Sequence, residues 1–392
     1  MKHSIAIIFV TVLFLAFNDH VKSQPKTKEG YQPVIFQASL FYPLGTNGKE
    51  INVVNYSSLN LIYGKAAAFQ GVEISGFGSR ITDYGMGLQV AGFGNVVENY
   101  FKGSQISGFG NITGSSFEGL QVSGFGNITG SNLQGAQVAG FMNITGGYLR
   151  GFQTAGFMNI TGGEFDGAQV AGFMNIAGGS SQGFQIAGFM NLNGSFDGLQ
   201  IAPFNINGET RGMMIGVINM TGKMKGVPIG LISYVKDGYR AFDISGNESF
   251  YINASYKTGV SGFYNILTAG LRPGSGFTRF GLGWGVGSEI FLGKGAFMNI
   301  EATATQISED EIWTSDLNLL NSVKFSFGAN LTSGLVIYAG PSFNVLVSEY
   351  QNADGTIGSE IAPTWHFYNK TTNDTNVKMW AGFNLGLRFL KN

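Results

Sequence analysis

Side chains capable of chemistry recur in this chain at one fixed interval. Gln89, Gln105, Gln121, Gln137, Gln153, Gln169 and Gln185 stand 16 residues apart, with Glu73 at the head of the series. Asn95, Asn111, Asn127, Asn143, Asn159, Asn175 and Asn191 keep the same interval. Each pair brackets a Gly-Phe step, from Gly76-Phe77 to Gly188-Phe189, as in "GAQVAGFMNITG" at Gly135–Gly146. Carboxamides repeated in this way admit two chemistries. They can line a displayed face that binds a glycan or an ion, or they can bond to one another inside a stack.

The internal ladder is preferred, because stacking like side chains at about 4.8 Å explains why their identity repeats. It makes rungs of Gln121, Gln137, Gln153 and Gln169 and of Asn127, Asn143, Asn159 and Asn175. Phe125, Phe141, Phe157 and Phe173 become a stacked row beside them. Asn-Ile-Thr at Asn111, Asn127, Asn143 and Asn159 matches a glycosylation sequon, and reads as a by-product of the ladder. Calcium-binding rolls need an Asp in every turn, and only Asp166 and Asp197 stand near such a place. Ligand binding is then sought between the copies, as in "GYLR" (Gly147–Arg150) and "GEFD" (Gly163–Asp166).

Other reactive constellations are thin. Beyond His3 and His20 the one histidine is His366, and no Asp/Glu cluster has metal-ligand spacing. "GLGWGVG" has no strand–helix context for a nucleotide loop, and no Gly-x-Ser-x-Gly elbow is followed by an acid and a His. The carboxylates of "SEDEIW" (Ser308–Trp313) read as a solvated loop tip. No enzyme, cofactor or metal is expected.

The elements that position the amides are β. Each copy is glycine-rich and β-branched, and poor in helix formers. Within one copy Ala136, Val138, Met142 and Ile144 share one parity, and Gln137, Phe141, Asn143 and Thr145 the other. A ten-residue strand spans about 33 Å, and six residues return only about 20 Å. Parallel stacking therefore requires a break, placed at the glycine before the Phe, so that two short strands complete one coil of a β-solenoid. The alternative is an antiparallel meander, one strand per repeat, closing into one large β-barrel. Equal connections and mid-strand glycines argue against it.

The chain opens with Met1, Lys2 and His3, the apolar run Ile5–Phe17, and Val21 and Ser23 before Gln24, which reads as a secretory signal over residues 1–23. There is no cysteine, which excludes a lipobox anchor, disulfides and thiolate metal sites, and export without disulfides fits a bacterial envelope. A formal net charge of −1 with 12% charged residues leaves no nucleic-acid footprint. No later stretch approaches the length of a helical membrane span, whereas β-barrel strands would hide their apolarity in alternation.

That alternation appears from about Tyr239. In "TRFGLGWGVGSEIFL", Phe280, Leu282, Trp284, Val286, Ile290 and Leu292 oppose Gly281, Gly283, Gly285, Gly287 and Glu289. The last strand sets Val377, Met379, Ala381, Phe383, Leu385, Leu387 and Phe389 against Lys378, Asn384 and Arg388. One apolar face and one polar, glycine-rich face fit an outer-membrane barrel with lipid outside and a filled lumen. Glu301, Lys324, Lys378 and Arg388 are then expected to point inward and pair, because an unpaired buried charge is costly.

The segments "FYPLGTNGKEINVVNYSSLNLIYG" (Phe41–Gly64), the tandem units, "AGPSFNVLVS" (Ala339–Ser348) and "NVKMWAGFNLGLRF" (Asn376–Phe389) resemble a set of Bacteroidota outer-membrane proteins. The repeat is similar to that of leptospiral surface-repeat lipoproteins. The resemblance covers most of the chain after the signal and implies outer-membrane placement, with no activity or site residues to carry over. The lipoproteins' acylated cysteine is missing, so the anchor would be the barrel itself.

The expected architecture is all-β. A signal spans 1–23, strands that could join the barrel lie in 24–66, the 16-residue repeat fills 67–236, and an antiparallel barrel occupies 237–392. The expected function is a non-enzymatic surface protein of the bacterial outer membrane, with membrane lipid as partner, no nucleic acid, and the repeat as structural or interaction element. A porin made of one large barrel and a secreted glycan-binding solenoid are the alternatives.

Overall fold

The computed structural model describes residues 30–390 except 275–276, 294, 310–315 and 353. The expected signal, residues 1–23, lies outside the described residues. Every element among them is a β-strand. The chain divides into two compact units, residues 1–197 and 198–392.

The repeats are parallel. Leu133–Ala139 pairs in register with Phe117–Ser123 on one side and Leu149–Ala155 on the other, Gln137 lying between Gln121 and Gln153. Met142–Thr145 pairs likewise with Gly126–Thr129 and Met158–Thr161. A seven-residue strand, a corner at Gly140-Phe141, a four-residue strand and a second corner at Gly146-Gly147 thus make one coil. Parallel in-register pairing rules out the meander, and with it the single large barrel.

Two glycine rows make the coils possible. Gly140 stands at the corner, where a Cβ would lie 2.0 Å from the Gly124 carbonyl oxygen of the coil below. Gly135, inside the longer strand, adopts φ 132°, and its Cβ would meet the Gly119 oxygen at 2.0 Å. Only glycine accepts both the conformation and the contact.

The N-terminal strands belong to the solenoid and not to the barrel. Gln32–Phe41 pairs in parallel with Val53–Ala66, which pairs onward with Ala68–Ser75 and Gly78–Ile81. A first-coil strand edge finds its best partner in the next coil's matching edge. Beyond Asn191 the interval shortens: Phe204–Ile215 pairs in parallel with Ile218–Ile229 at an offset of 14 residues. The second corner has flattened there, and one continuous strand crosses it.

The second unit carries the barrel. Among the described residues eight long strands, Tyr239–Asn247, Ile252–Val260, Phe263–Pro273, Thr278–Gly293, Ala296–Ser308, Asn318–Asn330, Leu335–Ser348 and Thr375–Leu390, pair antiparallel in sequence. The eighth closes on the first, Arg388 opposite Asp243. Residues 261–262, 294–295 and 331–334 join strands at the end where the chain enters at Tyr239; 248–251 and 274–277, together with the longer 309–317 and 349–374, join them at the other.

Candidate functional site

Inside the solenoid the carboxamides form two columns. Gln137 Nε2 donates to Gln121 Oε1 at 2.6 Å and to Thr129 Oγ1 at 3.1 Å. Its Oε1 accepts from Gln153 Nε2 at 2.7 Å and Thr145 Oγ1 at 3.3 Å. Asn143 Nδ2 donates to Asn159 Oδ1 at 3.0 Å and to the Thr154 carbonyl at 2.7 Å, and Asn127 Nδ2 donates to Asn143 Oδ1 at 3.0 Å. The same pattern runs through Gln153, Gln169, Asn159 and Asn175. The Gln column donates toward the N-terminus and the Asn column toward the C-terminus, so their amide dipoles oppose and the core gathers little net field.

Every one of these amides is fully buried. They cannot serve as a glycan- or ion-binding face, nor can the four Asn-Ile-Thr asparagines accept a glycan in the folded coil. Beside the columns runs an apolar file of Phe101, Phe117, Leu133, Leu149 and Phe165. Leu149 and Phe165 belong to the variable stretches in which binding was sought. They are core, while their neighbours Tyr148, Arg150, Glu164 and Asp166 remain on the surface.

Phe141 shares the parity of Gln137 by count but lies outside. The Gly140-Phe141 corner turns the chain between the two strands and resets the alternation. The Phe rings stack on the exterior at centroid spacings of 4.8 to 4.9 Å, from Phe77 through Phe125, Phe141, Phe157 and Phe173 to Phe189. Phe141 is 38% exposed and Phe77 55%. The solenoid therefore holds amide columns beside an apolar file within and carries an exposed apolar edge outside.

The barrel inverts polarity in the same sense. Phe242, Ile244, Leu282, Trp284, Phe325, Phe327, Phe383, Leu385 and Phe389 face outward and are exposed. Within the lumen Arg388 donates to both carboxylate oxygens of Asp243, at 2.9 and 3.1 Å, and to Glu289 at 2.8 Å. Lys257 bridges Asp243 at 2.7 Å and Glu301. Tyr264 Oη donates to Glu301 at 2.7 Å. Toward the long-connection end Phe250, Ile307, Leu320, Leu346, Ile361 and Trp380 pack as an apolar plug. Charges below and apolar side chains above fill the lumen.

Of the four expected inward charges, Glu301 and Arg388 meet in this cluster. Lys324 is in register with Glu301 but forms no ion pair within 4 Å among the described residues. Lys378 does not join them either, because its position high on the last strand brings Nζ to the Ser359 carbonyl at 2.9 Å. Asp243 and Lys257 were not singled out from sequence, although the inward parity of Asp243, between Phe242 and Ile244, is visible in it, and Glu289 stands on the polar face already read there. Glu309, expected at a solvated loop tip, is buried and paired with Arg279, while 310–313 lie outside the described residues.

The last coil is fastened to the barrel wall. Asn219 Nδ2 donates to Ser233 Oγ at 3.3 Å, and Asn265 Nδ2, from the third barrel strand, donates to the same oxygen at 2.8 Å. Asn265 also donates to the Pro228 carbonyl at 2.7 Å and accepts from Gly230 N at 3.0 Å. Trp284 Nε1 donates to the Gly230 carbonyl at 2.9 Å. Asn265 and Thr258 face outward yet are 1% and 3% exposed, because the coil covers them.

Among the described residues no three His, Cys, Asp or Glu side chains gather as metal ligands. The geometry offers a closed barrel with an apolar wall, a solenoid with internal amide columns and an exposed aromatic edge. No protein-family model, curated protein or solved structure matches the chain.

Proposed function

We propose that the protein is a non-enzymatic component of a bacterial outer membrane, in which the barrel is an anchor and the solenoid an interaction element. The observation that carries this reading is the pairing of an apolar outer wall with a lumen filled by ions and plug. Such a wall needs lipid, and such a lumen conducts nothing. The exported character of residues 1–23 and the resemblance to outer-membrane proteins support the same placement.

The barrel's asymmetry suggests which side the solenoid occupies. Outer-membrane barrels keep short turns on the periplasmic side and long loops outside. Here the coil enters at the short-turn end, through Val235 and Tyr239. The reading therefore puts the coils next to the barrel in its own unit, Phe204–Val235, in the periplasm rather than at the cell surface. A secreted glycan-binding solenoid is not favoured, since the repeated amides are buried.

The chain has no cysteine, so single cysteines report cleanly. In intact cells a membrane-impermeant maleimide should label Asp354→Cys in the long connection, and should label Lys225→Cys in the coil beside the barrel only after the outer membrane is permeabilised. Equal labelling of Lys225→Cys in intact cells overturns the sidedness. Recovery of the chain as a soluble periplasmic monomer, without heat-modifiable migration in detergent gels, overturns the anchor.

A further inference from the structure

The barrel wall has one interrupted seam. The first and eighth strands pair from Ala241 opposite Leu390 up to Asn247 opposite Asn384, and there the first strand ends. The eighth runs on, and from Met379 to Thr375 it is joined by a short strand of the long connection, Tyr368–Thr372. Across the interval Ala381–Phe383, side chains stand in for a strand. The Trp365 indole N–H donates to the Ala381 carbonyl at 3.1 Å, and the Glu248 carboxylate accepts from Phe383 N at 3.0 Å.

A notch of about 700 Å³ opens at this point, with Tyr251, Trp365, Phe383 and Leu385 in its lining. It adjoins a depression of about 310 Å³ that continues down the wall past Ile244 and Ile337, sharing Gly246, Tyr251 and Leu385. Gly246 is the outward position after Ile244, and its missing side chain joins the two. The outcome is a mostly apolar track along the strand direction, open to the side and flanked by exposed aromatics at the long-connection end.

We infer that this seam is a binding site for one acyl chain of a bilayer lipid. Three observations carry it. The two depressions share Gly246, Tyr251 and Leu385 and follow one another along the strand, which gives the length a hydrocarbon chain needs. Their lining is mostly apolar, with Asn247 and Glu248 in the notch and Ser245 in the depression as its polar members, and is continuous with the exposed apolar wall. Trp365 and Tyr251 crowd the mouth, where an aromatic ring suits the boundary between chain and headgroup. The Glu248 carboxylate, fixed also by Trp380 Nε1 at 2.8 Å and Asn344 Nδ2 at 2.9 Å, keeps the track from opening into the lumen. The inference rests on the membrane placement proposed above.

Reconstitution of the full chain into phosphatidylcholine vesicles containing a phospholipid with a diazirine on one acyl chain tests it. After photolysis, labelled residues are mapped by mass spectrometry. Labelling at Ala381, Phe383 and Leu385 should exceed that at Leu282 and Ile300, elsewhere on the wall, several-fold. Ala381→Trp should abolish the excess at Leu385 while leaving Leu282 labelled. Uniform labelling around the wall overturns the site but not the membrane placement. Absence of label from every wall residue overturns both.

Discussion

Gln89 Nε2 donates to Glu73 Oε2 at 2.8 Å, so the glutamine column ends on a carboxylate and not on another amide. The column presents N–H groups at its N-terminal end, which a carboxyl oxygen can accept. The same carboxyl is 1% exposed, and burial pushes it up to about 7 from an ordinary 4.5, against the lowering effect of its hydrogen bonds to Gln89, Ser79 and Asn60.

A raised carboxyl links solenoid stability to pH. The folded coil holds a proton that the unfolded chain loses near pH 4.5, so the favourable contribution is present below that value and is lost as pH rises through about 7. The difference amounts to about 3 kcal/mol as an order of magnitude. Amide hydrogen exchange of the first coils should quicken between pH 5 and 8 beyond the intrinsic base-catalysed rate. Glu73→Gln should remove that extra dependence, because a glutamine oxygen can still accept from Gln89. An unchanged profile in the variant would show that Glu73 is not the group responsible.

Mid-column amides should be the least replaceable side chains of the repeat. Gln137→Met keeps the volume and deletes four hydrogen bonds, leaving Gln121 Oε1 and Gln153 Nε2 short of a partner. A loss of about 2–4 kcal/mol is expected, with urea unfolding split into separate transitions on either side of the lesion. Phe141→Ala, on the exposed edge, should cost only about 1 kcal/mol. Equal losses for the two would contradict the assignment of Gln to the interior.

Two serines point the other way. Ser107 and Ser123 occupy the place filled by Ala91, Ala139 and Ala155 in other coils, and their buried hydroxyls have no hydrogen-bond partner. Ser107→Ala and Ser123→Ala should each stabilise the solenoid by about 1 kcal/mol. Chemical denaturation that moves to lower urea in both variants would indicate a partner for these hydroxyls.

In the barrel, Glu301→Gln removes a carboxylate from between Lys257 and Arg388. Unbalancing a buried cluster typically costs about 3–5 kcal/mol. The temperature at which the detergent-solubilised barrel converts to its slow-migrating form should fall markedly, whereas the exposed pair partner Glu118→Gln should leave it unchanged. An unaltered conversion temperature would mean the cluster contributes nothing to closure.

Much of this architecture was legible because it rests on short-range rules. The 16-residue interval and the inability of six residues to retrace ten required paired short strands, and like residues at that interval required parallel stacking. The parity of Phe280, Leu282 and Trp284 against three glycines predicted a wall and a filled interior. Parity failed where the chain turned: Phe141 counts with Gln137 yet sits outside, since a corner resets alternation and its angle is set by packing of neighbouring coils. Gly135 reads as a strand glycine, and only the approach of the Gly119 carbonyl shows why nothing else fits.

The sequence by itself determined the coil, the ladder residues and the inward and outward faces of the barrel strands, because these follow from periodicity and from bonds between equivalent positions. Only the tertiary structure decided where long-range partners meet. It gave the strands before residue 67 to the solenoid, brought Lys257 and Asp243 to Arg388 while sending Lys378 to the loop, and turned Asn265 from a polar flaw in an apolar wall into the fastening of the last coil at Ser233 and Gly230. Such pairings depend on closure of the barrel and on the seating of the last coil, and no local pattern encodes the distance between residues that far apart along the chain.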